Sequence, residues 1–140
     1  MLKILPEKNY HLEIESDPNN LITIEEFVNY FAKDLLLSEE KLSALLLSVT
    51  EAATNAIKHG NKCDAKKMVI IDVNVEGDTL RIIVKDEGEG FDPTKVPDPT
   101  EPDNLLKDSG RGLYLMKVYM SDIKFNITPT GTEAIIELKI

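Results

Sequence analysis

The chain has 140 residues, of which 42% are hydrophobic and 29% charged, proportions of a globular protein rather than a disordered one. With 25 Asp and Glu against 16 Lys and Arg, its net charge of −9 argues against a broad nucleic-acid-binding surface but allows a nucleotide held at a local site. The length suits one domain with a substantial core, the single cysteine, Cys63, rules out an internal disulfide, and no Cys/His cluster points to zinc.

No apolar run reaches membrane-spanning length, and the opening Met1-Leu2-Lys3-Ile4-Leu5-Pro6 is too short and too soon interrupted to be a signal peptide. The expectation is a cytoplasmic protein without membrane contact, whose acidic surface would suit a basic protein partner.

Tyr10-His11-Leu12-Glu13-Ile14-Glu15 alternates apolar and polar residues, the period of a half-buried strand, with His11 on its polar side. Ser16-Asp17-Pro18 then offers an N-cap followed by proline, while Thr23-Ile24-Glu25-Glu26 has the form of a capping box. A first helix therefore starts near Pro18 or near Thr23, presents Ile24, Phe27, Val28, Phe31 and Leu35, and ends near Leu37. Ser38-Glu39-Glu40 caps a second helix with acid in its first turn, favourable beside the positive end of the dipole.

Along that second helix Leu42, Leu45, Leu46, Val49, Ala53, Ala56 and Ile57 form an apolar stripe, and Gly60 is a natural C-cap. Glu51, Asn55 and Lys58 fall on the other side, where residues three and four apart are neighbours. A carboxylate, a carboxamide and an ammonium so gathered form a candidate site, although such a patch alone is equally an ordinary solvated face. For His59 a packing or helix-end role is favoured over catalysis.

Val69–Val75 and Leu80–Lys85 alternate about Glu76-Gly77-Asp78-Thr79 and read as a hairpin. Ile123, Phe125 and Ile127, a Pro129-Thr130-Gly131-Thr132 turn, and Ala134, Ile136, Leu138 and Ile140 repeat the pattern. Because the strands alternate, one sheet face is buried and one largely polar. The expected fold is an α+β two-layer sandwich, a mixed, mostly antiparallel sheet with helices on one face.

Between Asp86 and Ser109 periodicity disappears and Pro93, Pro97, Pro99 and Pro102 accumulate among acidic residues. A loop of this length inside a compact domain tends to be a lid or a binding loop. Glycines mark both ends, Asp86-Glu87-Gly88-Glu89-Gly90-Phe91 after a strand and Ser109-Gly110-Arg111-Gly112-Leu113 before an apolar-patterned helix, Leu113–Met120. Amides at such a helix start can face a phosphate, and Asp86 at a strand end can accept a hydrogen bond from an exocyclic amine such as adenine's. The dinucleotide fingerprint and the P-loop do not fit, since no helix directly follows Gly90 and no Gly-Lys-Ser/Thr ending is present.

Taken together, Glu51-x-x-x-Asn55-Ala56-x-x-His59-Gly60, Asp86-x-Gly88-x-Gly90-Phe91, Gly110-Arg111-Gly112-Leu113 and Gly131-Thr132 are similar in order and spacing to the N box and glycine boxes of the GHKL ATP-binding superfamily. Domain size, the glutamate heading the N box and the Gly-Arg-Gly-Leu box most resemble the bacterial anti-sigma factor/serine-protein kinase family.

The resemblance implies one kinase domain over residues 1–140, with an ATP lid about 87–109. It implies that Asn55 holds Mg²⁺ against the ATP phosphates, that Asp86 binds the adenine amine with Thr132 supporting that end of the pocket, and that Gly88 and Gly90 let the chain pass close to the base. Gly110 and Gly112, at the head of Leu113, would bring amides to the phosphates, with Arg111 near the γ-phosphate. Lys58 resembles a phosphate-contacting lysine, and equally a surface one. Glu51, one helical turn from Asn55, would be the general base that receives the hydroxyl proton of a serine or threonine.

The implied partners are a sigma factor and an anti-anti-sigma (STAS-type) protein, with homodimer formation also implied. A non-catalytic ATP-binding module is the alternative. A histidine-kinase catalytic domain or a gyrase- or chaperone-type ATPase fits less well, because neither a phosphoacceptor hairpin nor a transducer domain accompanies the boxes.

Overall fold

The computed structural model describes residues 8–88 and 124–140. Strand β1 (Lys8–Glu15) leads through a 3₁₀ turn at Pro18–Asn20 into helix α1 (Leu21–Asp34), and α2 (Glu39–Asn55) continues into a π-helical turn at Ala56–Gly60. Strands β2 (Met68–Glu76), β3 (Thr79–Lys85), β4 (Lys124–Thr128) and β5 (Gly131–Lys139) complete the sheet. Its five strands run in the order β1-β2-β3-β5-β4, and every neighbouring pair is antiparallel. The sandwich expected from the alternation is present, but no parallel pair occurs among the described residues, because β5 lies between β3 and β4.

Each strand's inward set is apolar, and α1 and α2 close over it. Ile71, Val73, Leu80, Ile82, Ile136 and Leu138 meet Ile24, Val28, Phe31, Leu45, Val49 and Ile57 in one buried cluster. Fully burying a side chain of this kind contributes on the order of 1.5–3 kcal/mol, so the inner face carries the fold. Truncating Phe31, which is fully buried, removes both transfer energy and packing, about 3–5 kcal/mol for a phenylalanine-to-alanine change.

The helix boundaries differ from expectation in instructive ways. Asp17 caps the 3₁₀ turn by accepting from Asn19 N at 2.9 Å, whereas Ser16 donates to Lys67 O at 2.6 Å and ties β1 to the start of β2. The Thr23–Glu26 box lies inside α1, which has already begun at Leu21. That helix stops at Asp34, where Leu36 takes a left-handed φ of 56° and Leu37 N returns to Ala32 O at 2.9 Å. This closure usually uses glycine. Ser38 caps α2 as expected, accepting from Lys41 N at 3.2 Å. Gly77, at φ +60°, supplies the left-handed first position of the two-residue β2–β3 turn.

The other face of the sheet is open and polar. His11 stands opposite Asp72 and bonds it through Nδ1, and Lys85 lies 3.3 Å from the same carboxylate. Arg81 pairs with Glu137 at 3.4 Å, both well exposed. Among the described residues no helix is long and apolar enough to cross a membrane.

Candidate functional site

The helix-covered layer is tightly packed where β3 ends. Asp86 N donates to Thr132 O at 3.0 Å, extending the β3–β5 ladder by one residue. The Asp86 side chain folds back, and its Oδ1 accepts from Gly88 N at 3.0 Å and Thr132 N at 3.1 Å. One carboxyl oxygen is thereby saturated while Oδ2 takes no hydrogen bond among the described residues. Burial, to 7% exposure, raises the carboxyl above the ordinary aspartate range, against the opposing pull of the Gly88 and Thr132 amides and the charge of Lys67.

Three glycines fit around this carboxylate because nothing larger would. A Cβ on Gly60 would lie 2.2 Å from Asp86 Oδ2, one on Gly88 would lie 1.9 Å from Gly60 O, and one on Gly131 would lie 2.0 Å from Asp86 O. Thr132, 2% exposed, holds its Oγ1 without a partner among the described residues. A buried hydroxyl left unmatched costs about 1–3 kcal/mol. Oδ2 is an acceptor and the orphaned hydroxyl a donor-acceptor, on two residues joined by the Thr132 N to Asp86 Oδ1 bond. A planar amine-bearing heterocycle answers both, with its exocyclic N–H toward Oδ2 and a ring nitrogen toward the hydroxyl.

The end of α2 reaches this spot through a local change of helix type. After Asn55 the backbone widens, with Asn61 N bonding Ala56 O at 2.8 Å. Gly60 is therefore not the left-handed C-cap that the sequence led us to expect. Lys62 and Cys63 take the positive φ values, 52° and 57°, and Gly60 is required instead by its contact with Asp86. A C-cap reading weighs only the local chain, whereas the constraint here comes from another strand.

Glu51 and Asn55 lie four residues apart in the regular part of α2 and are both half-buried, so they are side by side on one face. At about 1.5 Å of rise per residue, Asn55 sits roughly one and a half turns before the Gly60–Asp86 contact and Glu51 one turn earlier. Asn55 makes no capping bond with its side chain. Lys58 falls in the widened turn and is exposed, so its spacing from Asn55 no longer follows α-helical periodicity.

The structure thus brings Asp86, Gly88 and Thr132 together, with Gly60 linking them to the helix that carries Glu51 and Asn55. Gly90, Gly110, Arg111, Gly112 and Leu113, with the expected helix Leu113–Met120, lie outside the described residues. So do most of the expected lid, 87–109, and Ile123 of the last hairpin.

One residue escaped the sequence reading. Asn61, 1% exposed, donates through Nδ2 to Ser16 Oγ at 2.7 Å and Met68 O at 3.0 Å, and its Oδ1 accepts from Glu87 N at 2.8 Å. In sequence it belongs to the polar run Asn61-Lys62-Cys63-Asp64, which reads as a turn. Only its place directly after a glycine-terminated motif sets it apart.

A histidine kinase-like ATPase domain model matches residues 14–138. A serine-protein kinase RsbW from Oceanobacillus iheyensis is 33% identical over 95 residues, covering 64% of this chain and 60% of that protein. An anti-sigma F factor from Clostridium perfringens is 32% identical over 118 residues, covering 81% of this chain and 83% of the relative. The RsbW of Bacillus subtilis is 36% identical over 91 residues, covering 61% of this chain and 57% of that kinase. The chain thus spans under two thirds of these two RsbW kinases and most of the anti-sigma F factor. Among solved structures, the RsbU and RsbW domains of a Mycobacterium tuberculosis protein superpose with a TM-score of 0.67 over 94% of this chain and 32% of that one. At 16% identity that likeness establishes the shared fold.

Proposed function

Because the chain belongs to the histidine kinase-like ATPase domain family, we propose that it is an ATP-dependent serine/threonine protein kinase of the anti-sigma type. In this reading it binds a sigma factor and phosphorylates an anti-anti-sigma protein of the STAS type. It acts in the cytoplasm as one kinase domain, with a lid over about 87–109, and forms a homodimer. Relatives named serine-protein kinase and anti-sigma F factor support the activity and the partner class.

The observation that carries the reading is the cluster around Asp86. A half-satisfied buried carboxylate, an orphaned threonine hydroxyl and glycines that hold the backbone close match the edge of adenine. Asp86 Oδ2 accepts the exocyclic amine and Thr132 Oγ1 serves the adjoining ring nitrogen. Asn55 holds Mg²⁺ through its carboxamide oxygen, an oxygen donor suited to a hard cation. A cation held there would supply neutralisation of the phosphate charge. Lys58, Gly110, Arg111, Gly112 and the Leu113 amide attend the phosphates, and Gly88 and Gly90 border the base.

Glu51 stands one turn before Asn55 and receives the proton of the attacking hydroxyl. The bond from the γ-phosphorus to the β,γ-bridging oxygen breaks as the new phosphorus–oxygen bond forms, leaving ADP and a phosphorylated serine or threonine.

Incubation with γ-labelled ATP and STAS-type anti-anti-sigma proteins tests this directly. Label on a serine or threonine is expected, with Glu51→Gln slowing transfer by about 100-fold or more while ATP affinity stays within two-fold. Measurable ATP binding without label on any candidate would instead favour a non-catalytic regulatory module.

A further inference from the structure

Asn61 joins three separate segments beside Asp86, through Ser16, Met68 and Glu87. We propose that Asn61 is a positioning residue for nucleotide recognition, setting where Asp86 presents its free oxygen. This rests on the reading of Asp86 as the carboxylate that meets the adenine amine.

Asp86 is held from both sides along the chain. Upstream it continues β3, and downstream Glu87 N donates to Asn61 Oδ1 at 2.8 Å, so the peptide that follows Asp86 is fixed by Asn61. Gly88 N then closes onto Asp86 Oδ1 at 3.0 Å. The orientation of Asn61 is in turn overdetermined: Nδ2 uses both hydrogens, toward Ser16 Oγ at 2.7 Å and Met68 O at 3.0 Å. Ser16 Oγ is itself anchored by donating to Lys67 O at 2.6 Å, and Glu87 Oε2 accepts from Met68 N at 3.0 Å. With Oδ1 as the acceptor and both Nδ2 hydrogens as donors, an amide satisfies the site and a carboxylate does not.

Asn61 also follows Gly60 directly, and a Gly60 Cβ would lie 2.2 Å from Asp86 Oδ2. One residue therefore fixes the turn beyond the carboxylate and the helix end that walls it. Hydrogen-bonded recognition of a base is lost over displacements well under 1 Å, which is why such support matters.

The test compares ATP with inosine triphosphate, which has the same phosphates but a carbonyl in place of the exocyclic amine. Affinities are measured by calorimetry on wild type, Asn61→Ala and Asn61→Asp, with thermal unfolding of the same samples. Wild type is expected to prefer ATP by about ten-fold or more. Both variants are expected to lose most of that preference, ATP affinity falling about ten-fold while inosine triphosphate changes less than two-fold. Folded variants that keep the wild-type ratio would overturn the proposal, whatever their melting temperature.

Where Asn61→Ala does not fold, Ser16→Ala, which removes one of three anchors, carries the same comparison. Its ratio is expected to fall about three-fold, and an unchanged ratio counts against Asn61. A wild type that fails to distinguish the two nucleotides would instead remove the Asp86 reading on which the proposal stands.

Discussion

Asp72, in the middle of β2 on the open face, and Asp86, just past β3 at the covered end, treat their charge in opposite ways. Partial burial pushes the Asp72 carboxyl upward, but hydrogen bonds from His11 and Lys85 outweigh it and hold it below the ordinary aspartate range. Among the described residues Asp86 has no such cation in contact, and burial wins over its two amide bonds. Asp72 spends both oxygens on neighbours, Oδ1 on His11 and Oδ2 on Lys85 at 3.3 Å, whereas Asp86 keeps one in reserve. The first arrangement is a satisfied surface cluster, and the second retains a cost that a ligand can relieve.

Changes at the crowded end should therefore disturb binding most. Gly60→Ala would drive a methyl into a carboxylate that its amide bonds prevent from swinging away. We expect ATP affinity to fall about 100-fold and stability by about 1–3 kcal/mol, the range for overpacking a rigid site, measured by calorimetry and urea titration. Retention of both would show that the contact is loose.

Thr132→Val separates binding from stability. It replaces a hydroxyl that has no partner among the described residues with a methyl of the same shape, so stability should hold or rise by about 1 kcal/mol while ATP affinity drops about five- to ten-fold. Asp72→Asn is the control on the other face. Its pairs are more than a third exposed, so solvent screening limits the loss to at most about 0.5 kcal/mol, with nucleotide affinity unchanged.

The contrast also has a pH signature. A folded-state pKa above the unfolded one means that the native state holds the Asp86 proton more tightly. Asp86 thus contributes stability that is fully present below the ordinary aspartate pKa and lost as pH rises through its raised value. Acceptance of an amine needs the ionised form, so ATP affinity should change in the opposite direction, weakening as pH falls through the same window. Parallel titrations of affinity and melting temperature check both signs.

Much of this was legible in the sequence because it depends on neighbours along the chain. Alternation in β2, β3 and β5 placed the inner face, and Ser38 marked the start of α2. The boxes drew together Glu51, Asn55, Asp86, Gly88 and Thr132. What stayed hidden depends on contacts between distant segments. Gly60 looked like a helix stop and proved to be a wall against Asp86, and Asn61, which no sequence pattern singled out, is bonded to Ser16 and Glu87. The start of α1 misled for a related reason, since Ser16 was drawn away from capping by Lys67, leaving Asp17 to cap the 3₁₀ turn.

The most direct measurement is the affinity of Mg·ATP for wild type and Asp86→Asn, with the melting temperature of each. Asparagine keeps an acceptor for the Gly88 and Thr132 amides but turns an N–H toward the amine. Binding about 100-fold weaker is expected, at a melting temperature equal to or above wild type. Wild-type affinity in Asp86→Asn would contradict it.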